Sequence, residues 1–383
     1  MMAKYDILIQ NGTLMDPAAG ICKTGSLAVQ DGKICAVGTA EEKEAVQVID
    51  ARGCYVVPGL TDYHMHAFTG GCEFALHPDL PAAISGVTTV VDGGSAGVSG
   101  FESFYRSDIL HSTVNVKAML NICSAGQPGV YYLENMDPAL YQRDQILRLC
   151  EQYKGIIVAI KVRQSREIVK ERGLTPLKEA IKIAREAGLP VVVHTTDSPG
   201  EIRDTLEILR KGDVFCHCFH KKGRTILDEN SHVLPEVREA QKQGILFDCA
   251  HGSMNFSLDI ARTAISEGFF PDIISSDLSM LSFMKPPAYS LSHILTELLN
   301  LGIRFEELLP RVTSTPARQI EAGQNGFLIP GAPADLALFC LEKKKVHFKD
   351  HYGSHMEGDQ ILRPMMTIKD GRILYRQYDF FNQ

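Results

Sequence analysis

The chain has 383 residues, 45% hydrophobic and 22% charged, which suits one barrel-sized domain plus an accessory module with a normal packed core. Its formal net charge is -7, and the one basic run that stands out is Lys343-Lys344-Lys345, which argues against nucleic acid as a partner. No stretch approaches the roughly 18 apolar residues of a membrane helix. Asp6 interrupts the start, so the leading residues do not read as a signal peptide, and the ten scattered cysteines fit reduced thiols of a cytoplasmic protein.

Residues 1–57 are rich in strand signals. Tyr5–Gln10 leads into Asn11-Gly12, and Ser26–Gln30 leads through Asp31-Gly32 into Lys33–Val37; such dipeptides between alternating runs predict hairpins. Residues 58–318 change rhythm, with apolar runs alternating with amphipathic stretches. Eight runs read as strands: 55–64, 88–94, 114–123, 157–163, 190–196, 213–219, 245–252 and 272–278. Helical patterns cover 101–110, 140–153, 176–188, 202–211, 234–243, 258–267 and 289–299. In 176–188, Thr175 is the expected cap, Pro176 opens the helix and Gly188 ends it. Residues 319–383 return to strands at 334–339 and 364–368, with an Asp370-Gly371 turn before 372–375. The expected fold is α/β: a (β/α)8 TIM-type barrel with a small β-sandwich built from both chain termini.

An active site in such a barrel lies at the C-terminal ends of the strands. The first strand ends in His64-Met65-His66, two histidines at i and i+2 that face one way and can hold a metal. His194 ends the fifth strand, and His217 sits among apolar neighbours in the sixth; each alone fits a core histidine equally well. Alternation points Cys216 and Cys218 away from the face that His217 uses. Asp277 ends the eighth strand, as a metal ligand or a helix cap. Lys161 stands inside Ile156–Val162, where desolvation favours a neutral amine. Such an amine can take up carbon dioxide as a carbamate that bridges two cations; an ion pair inside the barrel is the alternative. Arg163 could clamp a substrate carboxylate or pair with a loop acid, and His251 could donate to substrate or make a structural hydrogen bond. Gly93, Gly94 and Gly97 permit close approach of a ligand or form ordinary turns.

The set resembles the binuclear members of the amidohydrolase superfamily, over nearly the whole chain and including Val57-Pro58-Gly59-Leu60. The resemblance implies that His64 and His66 hold the more buried of two divalent cations, most simply zinc, and that His194 and His217 hold the other. Lys161, N-carboxylated, bridges them, and Asp277 binds the first metal and shuttles a proton. Thr61–His66, Ser85–Gly97 and Ile160–Arg163 resemble a dihydroorotase-like subgroup of deacetylases. This implies a small-molecule substrate, an acyl amide or ester of a carboxylic acid, and a homo-oligomer. Dihydroorotases place an arginine where this chain has Phe68, and mononuclear deaminases place a glutamate where Thr195–Asp197 follow His194. Cyclic amide hydrolysis is the competing activity. A non-catalytic scaffold would have lost metal ligands, yet all six positions are filled.

Overall fold

Alternating apolar residues at both chain ends build one mixed sheet. The structure, a computed structural model, describes residues 5–40 and 45–380. Residues 1–4, part of the stretch read for a signal peptide, lie outside the described residues. The sheet contains β1 (Tyr5–Asp16), β2 (Ile21–Gln30), β3 (Lys33–Gly38), β4 (Ala45–Asp50), β5 (Tyr55–Pro58), and, from the far end, Leu336–Lys349, His355–Lys369 and Arg372–Arg376. The early strands join the late ones through β5, which lies between β1 and Leu336–Lys349. Ile7, Ile9, Leu27, Val56, Leu336 and Met366 bury one face as a common cluster. Asp31-Gly32 and Asp370-Gly371 form the expected turns, with positive φ at all four residues. Asn11-Gly12 does not: it lies inside β1, where the register with β2 shifts. The dipeptide is a bulge in the pairing with β2, and it packs closely on β5, where a Cβ on Gly12 would sit 2.6 Å from Val56 Cγ2.

The middle of the chain forms a seven-stranded parallel sheet from β6 (Leu60–Met65), β7 (Val87–Asp92), β8 (Asn115–Asn121), β9 (Ile157–Arg163), β10 (Val191–His194), β11 (Val214–Cys216) and β12 (Leu246–Asp248). The run expected at 55–64 is two strands. Gly59 breaks it, because a Cβ there would meet Thr88 Oγ1 at 2.3 Å, and β5 joins the terminal sheet while β6 starts the parallel one. The run expected at 272–278 is not a continuous strand. It touches β12 at Asp248↔Ile273 and β6 at Met65↔Leu278 through single parallel bridges. The Ser276 N–H donates to the Asp62 carboxylate at 2.9 Å and Asp277 takes φ 50, which interrupts a ladder. The C-terminal strands of the mixed sheet are β13 (Leu336–Lys349), β14 (His355–Lys369) and β15 (Arg372–Arg376).

Helices pack outside the parallel sheet through their apolar stripes, as in Thr175–Ala187, which buries Leu177, Ala180, Ile181 and Ala184 and ends at Gly188 with φ 67. Thr175 is its first helical residue and supplies no side-chain cap. The helix expected at 202–211 closes after one turn, Ile202–Leu206, with a Glu201/Asp204 capping box. Inside the sheet, Tyr63, Val91, Met119, Val192, Val214 and Ile273 form a separate apolar cluster. Among the described residues, no helix is long and apolar enough to cross a membrane.

Candidate metal centre

Parallel strands place the side chains at their C-terminal ends together. His64 and His66 at the end of β6, Lys161 on β9, His194 at the end of β10, His217 just after β11 and Asp277 line one cleft of about 310 Å³. The rings lie close: His64 to His217 at 5.5 Å between centroids, His194 to His217 at 4.4 Å, and His64 to His66 at 5.7 Å. Asp277 Oδ1 stands 3.3 Å from His66 Nε2 and 3.6 Å from His64 Nε2. Lys161 Nζ stands 3.3 Å from His64 Nε2.

Outer contacts leave the Nε2 atoms for the cleft. His217 Nδ1 donates to the Ala250 carbonyl at 2.7 Å, so its Nε2 keeps a lone pair. His66 Nδ1 pairs at 2.9 Å with Ser95 Oγ, which donates to Asp92 at 2.7 Å. Asp92 also accepts from the amides of Ala67, Gly94 and Ser95, which fixes the backbone beside both histidines. Burial pushes His64 and His194 well below the ordinary imidazole value and His217 down to about 3, favouring the neutral, metal-binding form. Burial opposes ionisation of Asp277, but the His64, His66 and His217 rings outweigh it and hold its carboxyl below the usual range. His64, His66 and Asp277 each offer a ligand atom within 4.8 Å of one another, so this donor set fits a divalent cation.

Three residues that sequence reasoning missed hold this arrangement. Asn255 Nδ2 donates to Asp277 Oδ2 at 3.1 Å, while its Oδ1 accepts from Thr196 Oγ1 at 3.0 Å. The clamp ties Asp277 to the loop after His194. Gln127 and Glu134 flank Arg163: Glu134 Oε2 accepts from Nη1 at 2.9 Å, and the Gln127 amide oxygen, turned toward the guanidinium, accepts from Nη1 at 3.0 Å and Nε at 3.3 Å. No motif announces them, since each acts across at least 22 residues of sequence.

One expected side-chain direction is corrected, and His251 takes the structural of its two alternatives. Cys216 does not point away: its Sγ lies 3.3 Å from His64 Nδ1 and 3.9 Å from Lys161 Nζ. β11 ends at Cys216 and His217 takes φ 67, so strand alternation no longer applies. His251 is fully buried, with Nδ1 2.9 Å from the Gly252 carbonyl and Nε2 2.8 Å from Glu297, and it does not line the cleft. Its hydrogen bonds are structural and leave no ring nitrogen for substrate. Arg163 has its loop acid in Glu134 yet still lines the cleft.

The glycines after β7 serve side chains of the site. A Cβ on Gly93 would lie 2.2 Å from His64 Nε2, and one on Gly94 would lie 2.6 Å from Lys161 Cγ. Gly93→Ala is therefore expected to displace the His64 ring and lower stability by about 1–3 kcal/mol, as overpacking does. Metal content per folded chain should fall with it. Undiminished metal content at unchanged Tm would show that the ring can move aside harmlessly.

Residues 55–374 match the model of the Amidohydrolase family, and the chain belongs to that family. It is 34% identical over 340 residues to a deacetylase of Agrobacterium fabrum, covering 88% of this chain and 83% of that one. Among solved structures it resembles an adenine deaminase, with a TM-score of 0.89 and 29% identity over 98% of this chain and 100% of the other. It likewise resembles a dihydroorotase, with a TM-score of 0.89 and 32% identity over 97% and 98%. Family membership makes this chain a metal-dependent hydrolase acting on C–N bonds and implies a TIM-type barrel.

Proposed function

We propose that the protein hydrolyses an acyl group, acetyl in the simplest case, from an amide or ester of a small carboxylic acid. The observation that carries this reading is the guanidinium of Arg163 in the same cleft as the histidines and Asp277, oriented by Gln127 and Glu134. On this reading His64, His66 and Asp277 would hold one divalent cation and His194 and His217 a second, and Lys161, as its carbamate, would serve both. Such a centre, zinc in the simplest case, would supply Lewis-acid polarisation of the acyl carbonyl and a more acidic water. Asp277 accepts the proton of the attacking water and returns it to the leaving nitrogen or oxygen. Asn255 holds Oδ2 while Oδ1 faces the histidines, so the carboxylate keeps one orientation through both transfers. Arg163 takes the substrate carboxylate and sets the acyl group over the histidine cluster. The same reading closes the parallel sheet through residues 273–278 into an eight-stranded barrel, with residues 58–318 as the barrel and 1–57 and 319–383 as its accessory sandwich.

Proton NMR of metal-loaded protein with N-acetyl and O-acetyl small acids tests the activity directly. A growing acetate signal is the expected result. Open-chain product from dihydroorotate or a hydantoin, without acetate release, would replace it with cyclic amide opening, the reading favoured by the likeness to a dihydroorotase. Against that reading, Phe68 is buried against Phe104 and supplies no cation at its position. Arg163→Ala is expected to raise KM for a carboxylate-bearing substrate by about 10–100-fold, the worth of a charge-assisted hydrogen bond. The matching neutral amide should be hydrolysed equally well by both proteins. An equal loss on both substrates would remove the carboxylate role.

A further inference from the structure

Outside the cleft, two cysteines far apart in sequence meet in the terminal sheet. Tyr55 of β5 pairs with Phe339 of antiparallel β13, so the register sets Cys54 opposite Cys340. The Cys54 amide donates to the Ala51 carbonyl and its own carbonyl accepts from the Thr13 amide, both away from β13. The pair is thus of the type without mutual backbone hydrogen bonds, the closer of the two antiparallel spacings. Cα separations near that spacing fall within the range a disulfide spans. Both thiols belong to the same apolar cluster, Cys54 within it and Cys340 packed on it. Cys340 is partly exposed, whereas Cys216, Cys218 and Cys249 near the cleft are fully buried.

We propose that Cys54 and Cys340 are an oxidation site: an intramolecular disulfide that fastens β5 to β13 and so joins the two ends of the chain. Peroxide is the oxidant class. The Cys340 thiolate attacks a peroxide oxygen, the S–O bond forms, the O–O bond breaks and hydroxide leaves. The Cys54 sulfur then attacks the resulting sulfenic sulfur; the S–S bond forms, the S–O bond breaks, and water leaves with the Cys54 proton. Two electrons pass from the two thiols to one peroxide, and the Cys340 proton neutralises the hydroxide. The order of attack follows from exposure: Cys340 is partly exposed and meets the peroxide first, whereas Cys54 is buried behind it.

The metal-loaded full chain, treated with hydrogen peroxide and then alkylated under denaturing conditions, tests this. The expected product is a crosslinked peptide pair carrying Cys54 and Cys340, about two mass units lighter than the two thiols and restored by a dithiol reductant. Closing so long a loop should raise Tm by at least about a few degrees. In Cys54→Ser, Cys340 should stop at the sulfenic acid and be trapped by dimedone. The exposed Cys22 and Cys35 report oxidation elsewhere in the same sample. If Cys22 is oxidised while Cys54 and Cys340 both remain open to alkylation, the proposal fails. A crosslink found only between two chains overturns it equally.

Discussion

Asp277→Asn is expected to lower kcat by about a hundred- to ten-thousandfold, the usual worth of a positioned acid–base group. The two side chains have nearly the same shape, so Asn255 can still hold position 277 beside Gly252. A Cβ on Gly252 would stand 2.4 Å from Asp277 Oδ2, which leaves the carboxylate little freedom beyond the orientation it has. What the amide lacks is a proton-accepting oxygen anion. Metal content is to be measured on the same sample and the rate expressed per loaded centre. Full kcat per loaded centre would show that another group moves the proton, and the assignment of Asp277 would be withdrawn. Asn255→Ala makes a useful companion: the acid–base group stays, its clamp goes, and the loss should be smaller than that of Asp277→Asn.

The histidines were legible because strand periodicity and strand ends are local properties. His64-Met65-His66 stands at the end of β6 and His194 follows Val191-Val192-Val193, and parallel strands bring such ends together whatever the loops do. The Asp-Gly turns were legible for the same reason. Features set by tertiary contact were not. Gly59 splits one apolar run into two strands of different sheets because Thr88 crowds it, and nothing within the run reveals Thr88. Ser276 breaks the last strand by giving its amide to Asp62, more than 200 residues away in sequence. Cys216 faces inward with Val214, and His217 joins it at the cleft because it adopts a positive φ that a non-glycine residue rarely takes. Asn255, Gln127 and Glu134 are loop residues whose partners lie on other elements. Their polar side chains read as ordinary surface until the fold buries them beside charged groups.

Lys161→Ala should abolish most activity, by more than about a hundredfold, beyond what losing a mere supporting contact removes. Lys161 is 1% exposed, and its Nζ meets only His64 Nε2 and Cys216 Sγ. Among the described residues, no carboxylate lies within ion-pair distance of it, so its buried amine has no direct ionic partner. A carbamate removes that difficulty, because it converts the amine into an anion facing the atoms that would hold two cations. Alanine leaves a gap of the length of that group at the centre of the cleft. A short carboxylic acid, or bicarbonate with it, can enter the gap and present two oxygens in nearly the same place. Partial recovery of both activity and metal content on adding such an acid is therefore expected, with no recovery from a neutral amide of the same size. An untreated Lys161→Ala protein with full activity would end the bridging role. Loss that no acid repairs, in a protein that keeps its metals and its Tm, would assign Lys161 to the chemistry as a free amine instead.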